Sequence, residues 1–221
     1  MAAQVRVLVV DDQTTSSQEL ALLLDRQPGI ELVAHLDSGE DAVRVCRDRG
    51  SDVVLMDLDT PGIDGIETTR QIREVCPETK VVVLTASIRP AAIASVLAAG
   101  ACGYVPKAHA ADEVIDVVHR AASGEIVMPT SDLPLVLEHL HGGAGPAGEL
   151  GLQRLTSRES DVLRAMAAGQ TADVIAKHLG ISPLTVQSHV KSILAKLGVH
   201  SKIEAVTLAW RHGLTAASRT A

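Results

Sequence analysis

Five short runs rich in Val, Ile and Leu punctuate the first half of the chain: VRVLVV (5–10), ELVAHL (31–36), VVLM (53–56), KVVVLT (80–85) and GYVP (103–106). β-Branched residues lose side-chain freedom in helices and favour the pleated surface of a strand. Between the runs lie amphipathic stretches such as SSQELALLLDRQ (16–27) and GEDAVRVCRDRG (39–50), whose apolar residues return at helical spacing. This alternation argues for a parallel sheet with helices on both faces. Several runs lack polar alternation, as expected for strands buried on both sides. The pattern weakens after ADEVIDVVHRAASGE (111–125), so it predicts five strands and five helices over residues 1–126.

Residues 127–153 read as a linker. HGGAGPAGELG (141–151) holds five glycines and a proline, a composition unable to bury a core, and a short helix is predicted before it in LPLVLEHL (133–140). Residues 154–215 then read as four helices with marked ends. Thr156 and Glu159 have capping-box spacing, Thr171 caps ADVIAKHL, which stops at Gly180, and Ser182-Pro183 opens LTVQSHVKSILAKL, ended by Gly198. KIEAVTLAWRHG closes at Gly213, and residues 216–221 are expected to form a disordered tail.

Charge divides at the same place. From residue 151 onward there are nine Lys/Arg against four Asp/Glu, whereas residues 1–150 hold eleven against twenty-three. An acidic half joined to a basic half implies two domains with different partners, the basic one suited to nucleic acid. The apolar runs are far shorter than the roughly 18 residues of a membrane span, and MAAQVRVLVVDD lacks a signal-peptide pattern. Cys46, Cys76 and Cys102 are scattered, with no CxxC pair, and are expected as buried thiols in a reducing cytosol.

In open α/β sheets ligands bind beyond the carboxyl ends of the strands. Here the first strand ends on Asp11 and Asp12, the third on Asp57 and the fourth on Thr85, while the last runs through Tyr104 to Lys107. Carboxylates about 5 Å apart repel by roughly 3 kcal/mol per pair at an effective dielectric near 20, so the cluster must protonate or bind a cation. An all-oxygen set suits Mg²⁺, beside which a carboxylate can accept a phosphoryl group, with Lys107 and Thr85 binding its oxygens. No Gly-rich nucleotide loop is present. Taken alone, DLDT (57–60) also fits the Asp-x-Asp pair of a hydrolase, which leaves two phosphate chemistries open. Haloacid-dehalogenase-type phosphatases carry Thr four residues after the nucleophile, whereas Thr60 stands three after Asp57.

In the third helix of the basic half, Val186, Val190, Ile193 and Leu197 share one face, and Gln187, Ser188 and Lys191 lie on the other with His189 and Ser192 at its edges. Such a helix can enter the major groove, or it can be the solvated face of a small bundle.

VVDD, LMDLDTPGIDG, VVVLTA and GYVPK together resemble a response-regulator receiver domain, and LTSRESDVLRAMAAGQT, IAKHLGIS, TVQSHVKSILAKLGV and KIEAV resemble a LuxR-type helix-turn-helix domain. The pair is similar to the NarL/FixJ class of response regulators. The resemblance implies a five-stranded flavodoxin-like sheet followed by a small all-α domain of four helices, and a regulator of transcription, not an enzyme. It makes Asp57 the phosphoacceptor and Asp12 a direct Mg²⁺ ligand, with Asp11 acting through water and Asp59 through its backbone carbonyl. Thr85 and Tyr104 correspond to the switch pair, and Lys107 to the phosphoryl-binding lysine. Thr185, Gln187, Ser188, His189 and Lys191 correspond to the DNA-contacting residues. The implied partners are a sensor histidine kinase, promoter DNA, RNA polymerase and a second copy of the chain on activation, in the cytoplasm of a bacterium. Two departures stand out. Thr60 replaces a usual Met, and Pro106 precedes Lys107 while Ala108 follows it, which keeps a phosphorylation-independent receiver as the second reading.

Overall fold

The five apolar runs form five parallel strands: β1 (Val5–Val10), β2 (Ile30–Leu36), β3 (Val53–Asp57), β4 (Lys80–Thr85) and β5 (Gly103–Pro106). Their order across the sheet is β2-β1-β3-β4-β5. Between them run α1 (Ser16–Asp25), α2 (Gly39–Arg49), α3 (Gly65–Val75), α4 (Pro90–Ala98) and, after β5, α5 (Ala111–Ala122). The computed structural model describes residues 4–12, 16–58, 64–86, 89–107, 111–129, 132, 151–199 and 201–214. Asp59, Thr60, Ala108, the helix expected over 133–140, the glycine-rich segment 141–150 and the tail 216–221 lie outside the described residues. The chain divides into two units, Met1–Pro129 and Thr130–Ala221. None of the described helices is long and apolar enough to cross a membrane.

Successive strand residues point to opposite faces, and both faces are covered. Val7, Val9, Val53, Leu55, Val82 and Leu84 pack with Leu24 of α1 and with Val114, Val117 and Val118 of α5. Leu8, Val10, Val54, Met56 and Val81 pack on the other side with Ala42 and Cys46 of α2 and Ile72 of α3. Two-sided burial is why the central runs carry no polar alternation. α1 stops at Asp25, two residues before the end of its amphipathic stretch, because Pro28 disfavours helix in the residue before it.

Register sets the level of the strand ends. Val10 pairs with Met56, Asp57 with Leu84 and Thr85 with Pro106. One residue beyond these pairs, Asp11 falls beside Asp57, and Lys107 leaves β5 next to Thr85. The Lys107 amide donates to the Thr85 carbonyl at 2.8 Å.

The short edge strand β5 is secured from outside. After α5 the chain returns so that Val127 forms a single parallel bridge with Gly103. The Tyr104 amide donates to the Val127 carbonyl at 2.7 Å, and the Val127 amide donates to the Cys102 carbonyl at 3.0 Å. A Cβ on residue 103 would lie 1.8 Å from that Val127 oxygen, so only glycine admits the approach.

The second unit holds α6 (Ser157–Ala167), α7 (Ala172–Leu179), α8 (Pro183–Leu197) and α9 (Lys202–Arg211). Ser182 caps α8 by accepting from the Thr185 amide, with Pro183 in the first turn. Gly180, in the left-handed conformation at φ +64°, turns the chain from α7 toward α8. The guanidinium of Arg158 on α6 donates to the carbonyl of Leu179 at the end of α7. The Trp210 indole on α9 donates to the Ala167 carbonyl at 3.2 Å.

Gly103→Ala is expected to force Val127 off the edge of β5 and to destabilise the first unit by about 2 kcal/mol, the usual cost of overfilling a packed site. Urea unfolding of the full chain checks this; an unchanged midpoint would mean that the bridge contributes nothing.

Candidate functional site

Asp57 closes β3 with no exposed surface, and Asp11, just past β1, is 5% exposed. Charges so placed need partners. The Lys107 ammonium supplies one, standing 2.7 Å from Asp57 Oδ2 and 2.8 Å from Asp11 Oδ2. Burial opposes its charge, but the two ion pairs prevail and raise its pKa above the ordinary lysine range. Pro106 before Lys107 therefore does not keep the ammonium from the acids.

Asp12 is half-buried, and one carboxylate oxygen from each of Asp11, Asp12 and Asp57 lies within 4.8 Å of the others. Such an oxygen set fits a hard divalent cation, which would relieve the repulsion Lys107 only partly offsets. A cavity of about 540 Å³ opens beside it, lined by Asp11, Asp12, Gln18, His35, Asp37 and Ser38 among others. Thr85 is buried at the end of β4 and the Tyr104 ring is 1% exposed within β5. Five of the seven rim residues singled out in the sequence thus stand at neighbouring strand ends; Tyr104 lies within β5, paired with Val83, and Asp59 lies outside the described residues. Asp64 serves apart from this rim, as the cap of α3, where its carboxylate accepts from the Glu67 amide at 2.7 Å.

In the second unit, α8 buries Val186, Val190, Ile193 and Leu197. Thr185, Ser188 and Lys191 are exposed, while Gln187 and His189 are half-buried at the two flanks of the outward face. At 100° per residue the middle of that face is Leu184, Ser188, Lys191 and Ala195. Leu184 is apolar and lies outside the polar pattern that marks this face in the sequence. Its signal was the spacing i, i+4, i+7 that it shares with Ser188 and Lys191.

A buried acid ties this helix to the rest of the unit. The Glu159 carboxylate accepts from the Thr156 amide at 2.7 Å and the Thr156 hydroxyl at 2.9 Å, completing the capping box of α6. It also accepts from Ser192 at 2.6 Å and from the Lys196 ammonium at 2.7 and 2.8 Å, both on α8. Ser192 is thereby committed inward and does not belong to the outward face. Burial pushes the Glu159 carboxyl up, but Lys196, Ser192 and Thr156 outweigh it and hold its pKa at about 2, against an ordinary 4.5.

Comparison with known proteins agrees with both halves. Residues 7–119 match the response regulator receiver domain, and residues 153–209 match the luxR family of bacterial regulatory proteins. The chain is 36% identical to the transcriptional regulatory protein LiaR of Bacillus subtilis, over 95% of this chain and 99% of LiaR. It is 34% identical to the response regulator UvrY of Escherichia coli, over 95% of each. Among solved structures it resembles the two-component response regulator RcsB in its DNA complex, with a TM-score of 0.54 at 26% identity, covering 94% of this chain and 98% of RcsB.

A carboxyl depressed on folding contributes stability that is complete above its unfolded value and is lost as pH falls through its folded value. The second unit is therefore expected to weaken from about pH 4.5 down through about 2. Glu159→Gln is expected to cost about 2 kcal/mol at neutral pH and to flatten this response. Fluorescence of Trp210, the single tryptophan, follows the unfolding; equal pH slopes in the two proteins would rule the linkage out.

Proposed function

This chain belongs to the response regulators that join a receiver to a LuxR-type DNA-binding domain, and from that premise we propose that phosphoryl transfer to Asp57 controls its binding to promoter DNA. The observation that carries the proposal is the fully buried Asp57 carboxylate, paired with an ammonium that also grips Asp11. A sensor histidine kinase is the donor. An oxygen of Asp57 attacks the phosphorus of a phosphohistidine; a P–O bond forms, the P–N bond breaks, and the imidazole leaves with the electron pair. Asp11, Asp12 and Asp57, with the backbone carbonyl of Asp59, would hold Mg²⁺, which neutralises charge on the phosphoryl oxygens when bound.

The chain's own residues supply the rest. Lys107 holds Asp57 and Asp11 before transfer, and its ammonium then pairs with a phosphoryl oxygen in place of the lost carboxylate charge. The Thr85 hydroxyl donates to a second phosphoryl oxygen. Tyr104, buried within β5, transmits the movement of Thr85 to the β5 edge. The altered edge favours a homodimer. Two copies of α8 then read half-sites about one helical turn or a multiple apart, through Thr185, Gln187, Ser188, His189 and Lys191. Bound in this way, a cytoplasmic regulator acts on RNA polymerase at the promoter.

Asp57→Asn is expected to abolish both labelling by acetyl phosphate and the donor-dependent gain in DNA affinity in gel shifts; persistent labelling would assign the acceptor elsewhere. Lys191→Ala is expected to weaken binding to every sequence and to lower the slope of log affinity against log salt by about one. An unchanged slope would remove Lys191 from the phosphate contacts.

A further inference from the structure

Leu184 is 72% exposed, the most exposed large hydrophobic side chain among the described residues. It sits in the first turn of α8, held by the Ser182 cap and by Pro183. Its neighbours are polar, but their hydroxyls are engaged locally. Ser188 donates to the Leu184 carbonyl at 3.1 Å, and Thr185 shares a hydrogen bond with Ser182 at 2.8 Å. What projects from this end of the helix is therefore an isobutyl group, with Lys191 two turns along the same line and Gln187 at its flank.

The inference rests on the reading of α8 as the helix that enters the major groove. In that groove an apolar side chain has one distinctive partner, the 5-methyl group of thymine, since the other base edges present hydrogen-bonding atoms. We propose that Leu184 packs against a thymine methyl, so that each half-site carries thymine opposite the first turn of α8. Leu184 and Gln187 are three residues apart, about 4.5 Å along the helix axis, which is close to one base-pair step. The thymine therefore neighbours the base pair that Gln187 faces, where an amide side chain favours adenine. A basic domain with polar flanks around one exposed leucine suits a duplex better than it suits an apolar protein partner.

The test uses the full chain treated with acetyl phosphate. A binding duplex is first selected from a randomised library, and each thymine in it is then replaced singly by uracil, which removes only the methyl. One position per half-site is expected to weaken the unaltered protein about fourfold, the value of one buried methyl. Leu184→Ala is expected to bind the thymine and uracil duplexes equally while unfolding at the same temperature as the unaltered protein, because the leucine is exposed. Selective binding with no uracil-sensitive position, or with the same sensitivity kept in Leu184→Ala, overturns the thymine contact and leaves the groove-reading helix standing. Failure to select any duplex, with Lys191→Ala no different from the unaltered protein, overturns both.

Discussion

A carboxylate with no exposed surface at the end of the central strand sets conditions for the whole first unit. Asp57 cannot hold its charge unless cations reach it, and the ammonium that does so comes from Lys107, two strands away. That reach exists only because β4 pairs in register with β3 and β5 with β4, which brings the exits of β1, β3 and β5 to one level. The edge strand must stay in place for the ammonium to stay in place, and the Val127 bridge against Gly103 fastens that edge. A phosphoryl group added at Asp57 would change the charge that this arrangement is built around, so a local event has a mechanical route to β5.

The second unit meets the same problem, a buried carboxylate paired with a lysine ammonium, with different elements. Glu159 is a buried anion whose lone pairs are satisfied from two elements, its own helix cap and the C-terminal half of α8. A capping box alone stabilises a helix start. Extended to Ser192 and Lys196, it also ties the C-terminal half of α8 to the start of α6.

Much of this architecture was written locally. The strands follow from runs of β-branched residues, and the helix ends from Thr156, Thr171, Ser182 and the glycines that follow α7 and α8, because propensity and capping act over four residues or fewer. Asp11, Asp57, Thr85 and Lys107 were readable for the same reason: each is the first polar residue after an apolar run. Leu184 is apolar and so carries no mark of the polar face in which it stands. The reach of Lys196 to Glu159, thirty-seven positions away, leaves no pattern in a single chain, since lysines at helix ends are common on solvated surfaces. Periodicity places Ser192 at the edge of the outward face, but its hydroxyl donates inward to Glu159.

The order of amino acids was therefore enough to set the elements, their ends, the division of charge between two units, and which side chains crowd the strand ends. These are short-range consequences of periodicity, capping and composition. Which carboxylates Lys107 would grip, that Val127 would seal the β5 edge, and that Ser192 and Lys196 would turn inward to Glu159 were settled by packing alone. Those outcomes depend on register between strands and on the angle between helices, and both are fixed when distant segments compete to bury the same apolar surface.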